Sequence, residues 1–316
     1  MQPSDIDQEL MDAAQAGAAA KVSELLAQGA DPMCESSRAL RSAAKSGHAE
    51  CVRLLLPVSE PKVCDSYAIR VASENGHAEC VRLLLPVSDA KARRSEALRL
   101  AAGGGHAECL RLLLPVSDPE AMESYALRLA ASIGHEECLR LLLPMSDAKA
   151  ERSEALRLAA RGGRAECVEL LIPVSDPKAD GSYALRAAAH YGHVGCVRLL
   201  LPESDPNERE SDALRGAVGN GHAECVRLLL PVQGPLGEID GLLEKALESG
   251  HANVAALLIE EEPGLLDGSD LSKCLAVALE KGHKDMAGLL SSIIDQRELS
   301  GTGQDGLASR HVARRI

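Results

Sequence analysis

Cysteine is the first residue type whose placement suggests chemistry. Cys51, Cys80, Cys109, Cys138, Cys167, Cys196 and Cys225 recur every 29 residues. Thiols at a fixed interval suit metal ligation or disulfides. A disulfide needs Cα atoms within about 7 Å, whereas packed helices lie roughly 8–10 Å apart. Weaker copies of the pattern put Val22, Val254 and Met286 at the same place. A position that accepts any medium apolar side chain is a core position, so the ladder thiols are expected inside and unpaired. Unpaired thiols in such number imply a reducing, cytoplasmic compartment. Cys34, Cys64 and Cys274 lie off the ladder, and the first two fall in connectors where a thiol can react.

Histidine forms a second array. Gly-His pairs end at His48, His77, His106, His135, His193 and His222, with Gly163-Arg164 in one histidine's place. A position that tolerates arginine reads as a turn element. His190, His193 and Cys196 mimic a metal-binding run, but His193 is the turn position and Cys196 the core position, so the two should face apart. Gly301, Gly303 and Gly306 form a G-x-G-x-x-G with no strand before it and no βαβ unit around it, as a dinucleotide site requires. No nucleophile–base–acid set, carboxylate pair or phosphate loop stands out elsewhere. No catalysis, cofactor or metal is expected.

These residues sit on a repeat. Pro57, Pro86, Pro115, Pro144, Pro173, Pro202 and Pro231 keep the same 29-residue step. Seven units, roughly S-x-A-L-R-x-A-A-x-x-G-H-A-E-C-V-R-L-L-L-P-V-S-D-P, run from about residue 37 to 232, and degenerate copies bring the total to about ten. Within one unit, Ser95 reads as an N-cap with Glu96 complementing the helix dipole. Leu98, Ala101 and Ala102 make an apolar stripe. Gly105 supplies the left-handed residue that ends the helix. A second helix over 107–114 buries Cys109, Leu110, Leu112 and Leu113, and Pro115 forces Leu114 out of helical geometry. Helices this short are marginal alone and become stable when the next unit covers them. Residues 95–102 recur verbatim at 153–160, and Tyr67, Tyr125 and Tyr183 are 58 apart. This points to duplication of a two-unit block.

Composition agrees. The 316 residues are 46% apolar, yet Phe and Trp are absent and Tyr occurs four times. Such a chain builds thin layers of small side chains rather than one large aromatic core. Its formal charge of −13 repels phosphate backbones, so nucleic acid is not an expected partner. No apolar run is long enough to cross a membrane. Residues 1–12 carry four acids and no apolar block, unlike a secretory signal.

The motif A-L-R-x-A-A-x-x-G-H-x-x-x-V-x-L-L-L resembles the ankyrin repeat, and residues 26–32, L-A-Q-G-A-D-P, look like an ankyrin unit end. The resemblance covers about 10–292. It implies an all-α, ankyrin-like helical solenoid of about ten helix-turn-helix repeats over 1–294, followed by a flexible C-terminal tail over 295–316. Two features depart from the family. The period is 29 rather than 33, and P-V-S-D-P or P-V-S-D-A replaces the usual hairpin, so the connectors should be shortened or helical. The family's threonine cap and histidine give way to Ser with Tyr or Glu, and to Arg.

The resemblance further implies a non-catalytic scaffold binding a protein on a concave face. Identical residues in every layer are scaffold, so the partner-binding candidates lie where layers differ: Tyr67, Arg93, Arg94, Tyr125, Ile133, Arg152, Arg161, Tyr183, His190 and Tyr191. Tyr and Arg are favoured interface anchors. The alternative for the connector tyrosines is packing on a neighbouring unit. A monomer is expected. Similar proteins occur in bacteria that live with host cells, and some are delivered effectors, which would place this chain in a host cytosol.

Overall fold

The computed structural model describes residues 4–232, 239–261 and 268–304. Among the described residues every regular element is helical, and twenty α-helices pair into ten helix–turn–helix repeats. The chain forms two compact units, Met1–Asp176 with six pairs and Pro177–Ile316 with four. The sequence predicts one continuous body over 1–294; the stacking described here is internal to each unit. The last helix, Lys284–Gln304, continues past the tail boundary expected at 294. Residues 295–304 contain no proline to stop it, and an existing helix propagates readily. Residues 305–316, including Gly306, lie outside the described residues.

One repeat shows why the chain folds this way. The first helix, Ala92–Gly104, buries Ala97, Leu98, Ala101 and Ala102. Gly105 then adopts φ +74°, and the His106 amide donates to the Ala101 carbonyl at 2.9 Å, a Schellman-type stop. The second helix, Ala107–Leu113, buries Cys109, Leu110 and Leu113. Leu112 is half-exposed and Leu114 is buried in its stead. Leu114 also keeps helical angles, contrary to expectation. Pro115 does not break the chain but tightens it into a 3-10 turn, Leu114–Val116, because its fixed φ suits the start of such a turn. The extended backbone at Ser117 ends it.

The connectors hold no strand among the described residues. Asp118 begins its return as an Asx turn, its Oδ1 accepting the Glu120 amide at 3.1 Å. Then three consecutive residues turn left-handed: Arg93, Arg94 and Ser95 have φ of 51°, 59° and 57°. The same geometry recurs at Glu35–Ser37, Cys64–Ser66, Met122–Ser124, Glu151–Ser153 and Asp180–Ser182. The Ser95 amide closes it by donating to the Lys91 carbonyl at 3.1 Å. It is one turn of left-handed α-helix, which for non-glycine residues costs roughly 1–2 kcal/mol each.

Ser95 is therefore not the expected N-cap. Its buried Oγ accepts the Asp118 amide of the following connector at 2.8 Å. Ser37, Ser66, Ser124, Ser153 and Ser182 do the same for Glu60, Asp89, Asp147, Asp176 and Asp205. The first repeat lacks the left-handed turn. There Ser4 caps helix Asp5–Ala16 and Asp7 takes over the inter-repeat bond, accepting the Asp31 amide at 2.7 Å. Hydrogen bonds from Ser4 and Asp31 hold the Asp7 carboxyl below its usual range.

The ladder cysteines are buried and none is in a disulfide, as expected. Burial, aided by nearby glutamates, pushes the thiols of Cys80, Cys109, Cys138, Cys167 and Cys225 up to about 11 from 9.0. Between those values the unfolded chain has released thiol protons that the folded chain retains. Their contribution to stability is thus complete below about pH 9 and lost as pH rises toward 11. The urea midpoint, measured under reductant, should fall over this window. Valine at all five positions should flatten the fall. A second expectation concerns the left-handed turn. Ser36→Gly should stabilise the protein by about 1 kcal/mol, because glycine adopts φ +59° without the Cβ clash. Ser36→Val should destabilise it in the same urea titration.

Candidate functional site

The residues that vary between layers lie on the first helices and their connectors. One arginine per repeat organises them. Arg99 donates from Nε to the Arg94 carbonyl at 3.2 Å and from Nη2 to the Arg93 carbonyl at 3.0 Å, spanning the left-handed turn. Arg41, Arg70 and Arg186 make the same pair of bonds, and Arg128 and Arg157 make the Nη2 bond.

These guanidiniums also build a file of alternating partners. Tyr67 lies between Arg41 and Arg70, whose guanidinium carbons are 5.5 and 5.3 Å from the ring centroid. On its other side Arg70 pairs with Glu96. The order repeats one block later: Tyr125 lies 5.6 Å from Arg99 and 5.2 Å from Arg128, and Arg128 pairs with Glu154. In the second unit Tyr183 lies 5.4 Å from Arg186, which reaches Asp212 at 2.6 Å. The 58-residue period thus has a physical origin. Arg70, Arg128 and Arg186 each take an aromatic ring on one side and a carboxylate on the other. The three tyrosines are half-buried, and Tyr67 and Tyr125 are struts between repeats, in line with the packing alternative.

The other candidates divide. Arg93 joins the Tyr67 network through Asp65 at 3.3 Å and Glu96 at 3.6 Å. Arg94 lies apart, in a connector cleft of about 490 Å³ with Ser117, Asp118 and Met122. Arg152 is exposed within its left-handed turn, and Arg161 is exposed at the end of helix Ala150–Arg161. Ile133 is 42% exposed at the end of helix Ala121–Ile133. In the second unit His190 and Tyr191 meet edge to face at 4.8 Å.

Sequence reasoning missed two features of this surface. Leu100, Leu129 and Leu158 stand half-exposed one repeat apart, and Leu129 shares a helix side with Ile133. The equivalent position then shrinks to Ala187 and Gly216. Around Gly216 the second unit opens a cleft of about 620 Å³ lined by His190, Asp212, Arg215, Gly219, Asn220 and Lys245. The shrinking side chain was the available signal. At the start of the first unit, Ser42 lines a smaller cleft of about 320 Å³ with Arg38, Arg41 and Lys45.

The histidine array is structural, as expected. Within each unit the rings reach back one repeat: His106 Nε2 lies 2.9 Å from the Glu74 carbonyl oxygen and His135 Nε2 lies 3.0 Å from that of Gly103. The His135 ring also covers Gly105 so closely that a Cβ there would lie 2.6 Å from Nδ1. Arg164 replaces histidine by directing its Nε at the Ser132 carbonyl. Among the described residues, no three His, Cys, Asp or Glu side chains gather as a metal site, and no helix is long and apolar enough to cross a membrane.

A family model of ankyrin repeats matches residues 10–94, 69–153, 98–180 and 156–240, well over half of the chain. The chain belongs to the ankyrin repeat family. No curated protein matches its sequence. Among solved structures, the human ASB11 ankyrin repeat domain is similar in fold, with a TM-score of 0.50 and 20% identity over 72% of this chain and 99% of that one. Repeats of this family are in general protein–protein interaction modules, and the fold is typically a non-catalytic scaffold.

The arginine file carries a stability prediction. Arg128→Lys keeps the charge but loses the planar cover of Tyr125 and the fixed fork that reaches both the Met122 carbonyl and Glu154. A loss of about 1–2 kcal/mol is expected by urea unfolding. Arg111→Lys, in the exposed ion pairs of the second helices, should change stability by less than about 0.5 kcal/mol.

Proposed function

We propose that the chain is a non-catalytic, monomeric adaptor of the cytoplasm that captures a partner protein on the first-helix face of its repeats. The observation that carries this reading is the apolar strip of half-exposed Leu100, Leu129 and Leu158 with exposed Ile133 on a surface rich in charge. Gly103, three residues after Leu100, leaves the strip open, with Leu129 Cδ1 3.5 Å from where a Gly103 Cβ would stand. Anchors of this kind, ringed by arginine and carboxylate, make a small desolvated centre with a polar rim. The units are held rigid by inter-repeat bonds, so little ordering opposes binding.

The tyrosines are poor probes of this reading, since alanine there also removes a strut between repeats. The test is Leu129→Glu with Ile133→Glu, followed by capture of partners from the native cell. Capture should weaken by about tenfold or more while helical content stays unchanged. Val116→Glu, at an exposed 3-10 turn away from the first helix, should leave capture intact. Undiminished capture by the Leu129 and Ile133 variant would remove the strip as the binding face.

A further inference from the structure

We infer that the first-helix face of the first unit is a track for one amphipathic α-helix of the partner, carrying an acid, a base and then two apolar residues at seven-residue steps. The inference rests on the adaptor reading and names the chemistry the partner must present. Lys45, Glu74, Gly103 and Ser132 hold the same place in four successive repeats. They lie in the last turns of helices Cys34–Ser46, Val63–Glu74, Ala92–Gly104 and Ala121–Ile133. Lys45 and Glu74 are exposed, and neither side chain has an ion pair among the described residues. They stand one repeat apart without bridging, although arginine and glutamate of adjacent repeats do bridge elsewhere, as in Arg70 with Glu96 and Arg111 with Glu137. Two opposite charges left open in a fixed order are complementary to an acid followed by a base.

The next place in the column is a notch. Gly103 lacks the positive φ that demands glycine, and glycine inside a helix is destabilising relative to alanine. Close packing does not force it, since a Cβ there would make an ordinary 3.5 Å contact with Leu129 Cδ1. Gly104 is different, because its Cβ would lie 2.5 Å from the His106 ring. The effect of Gly103 is space beside Leu100 and Leu129, and Ile133 extends the apolar surface one turn along the helix from Leu129. A helix suits this track. Seven residues of α-helix rise about 10.5 Å and return to the same face, close to the roughly 8–10 Å between packed helices. In an extended strand residues three apart lie on opposite faces. A polyproline helix presents one narrow row, whereas the strip is two side chains wide at Leu129 and Ile133. The acid belongs toward the partner helix's N-terminus and the base after it, the order its own dipole favours.

Fluorescence anisotropy of labelled, alanine-rich helical peptides titrated with the full chain tests the inference. The matched peptide carries Glu, Arg, Leu and Leu at seven-residue steps and should bind saturably at one site. Exchanging its Glu and Arg should weaken binding about tenfold. In protein carrying Lys45→Glu with Glu74→Lys the preference should reverse, which a loss of folding cannot mimic. Gly103→Gln should weaken the matched peptide about tenfold by filling the notch. Helical content should be retained, since Glu74 occupies the same place one repeat earlier. Moving the same residues to five-residue steps, which turns them to different faces, should abolish binding. No binding of the matched peptide, equal binding of the two charge orders or of the two spacings, a preference that the exchanged protein fails to reverse, or full binding by the Gly103→Gln protein overturns the proposal. Equal or tighter binding of a polyproline peptide with the same residues at every third position overturns it too. The Leu129 and Ile133 test reads capture of native partners instead of peptide binding. Weakened capture alongside any of these overturning results would leave the adaptor reading standing, so the two fail separately.

Discussion

Each of the second to seventh repeats begins with a backbone turn of the wrong hand, and one arginine keeps it closed. Three non-glycine residues in left-handed geometry would cost several kcal/mol if left to themselves. The arginine donates into the first two carbonyls of the turn, and the serine at its end accepts an amide from the next connector. The first bonds stay within the repeat, and the second crosses to the next connector. The turn thus holds its shape only with a properly placed arginine inside the repeat and a neighbour outside it. The 29-residue period follows from this economy: a left-handed turn reverses the chain in fewer residues than a projecting hairpin.

A second interlock acts at the opposite end of the first helix. Glycine provides the left-handed stop, and the next repeat's histidine lies over it with its ring nitrogen on a nearby carbonyl. That carbonyl is one of the orphans left by the helix C-terminus. Serine, arginine and histidine thus spend their polar groups on backbone, one repeat to the next, while alanine, leucine and cysteine fill the layers between. The charged ladder on the second helices contributes far less, because its partners are solvated on both sides.

Much of this was legible in the sequence. Fixed spacing of cysteine, proline and Gly-His disclosed the repeat, and Val22, Val254 and Met286 showed the thiols to be core. Gly105 and its equivalents announced the first-helix stop. The hand of the connector was not legible. Ser95 looks like a cap because serine favours both caps and tight turns, and nothing local distinguishes accepting its own helix's amide from accepting one twenty-three residues on. Pro115 misled for a related reason: proline excludes the α ladder but fits a 3-10 turn. Of the candidate site, the tyrosines drew attention as anchors because they are rare, while Arg41 and Arg99, which complete the stacks on Tyr67 and Tyr125, fall in the preceding repeats. The cleft at Gly216 went unseen because a missing side chain is a quiet signal in a varying column.

The alternation of ring and carboxylate along the arginine file also restricts how such an array can change length. Excising one repeat would set two rings, or two acids, on either side of a single guanidinium. Excising two adjacent repeats would restore the original order. Growth and shrinkage of this protein are therefore quantised in pairs, and an odd-numbered relative would have to carry a visible fault at one junction.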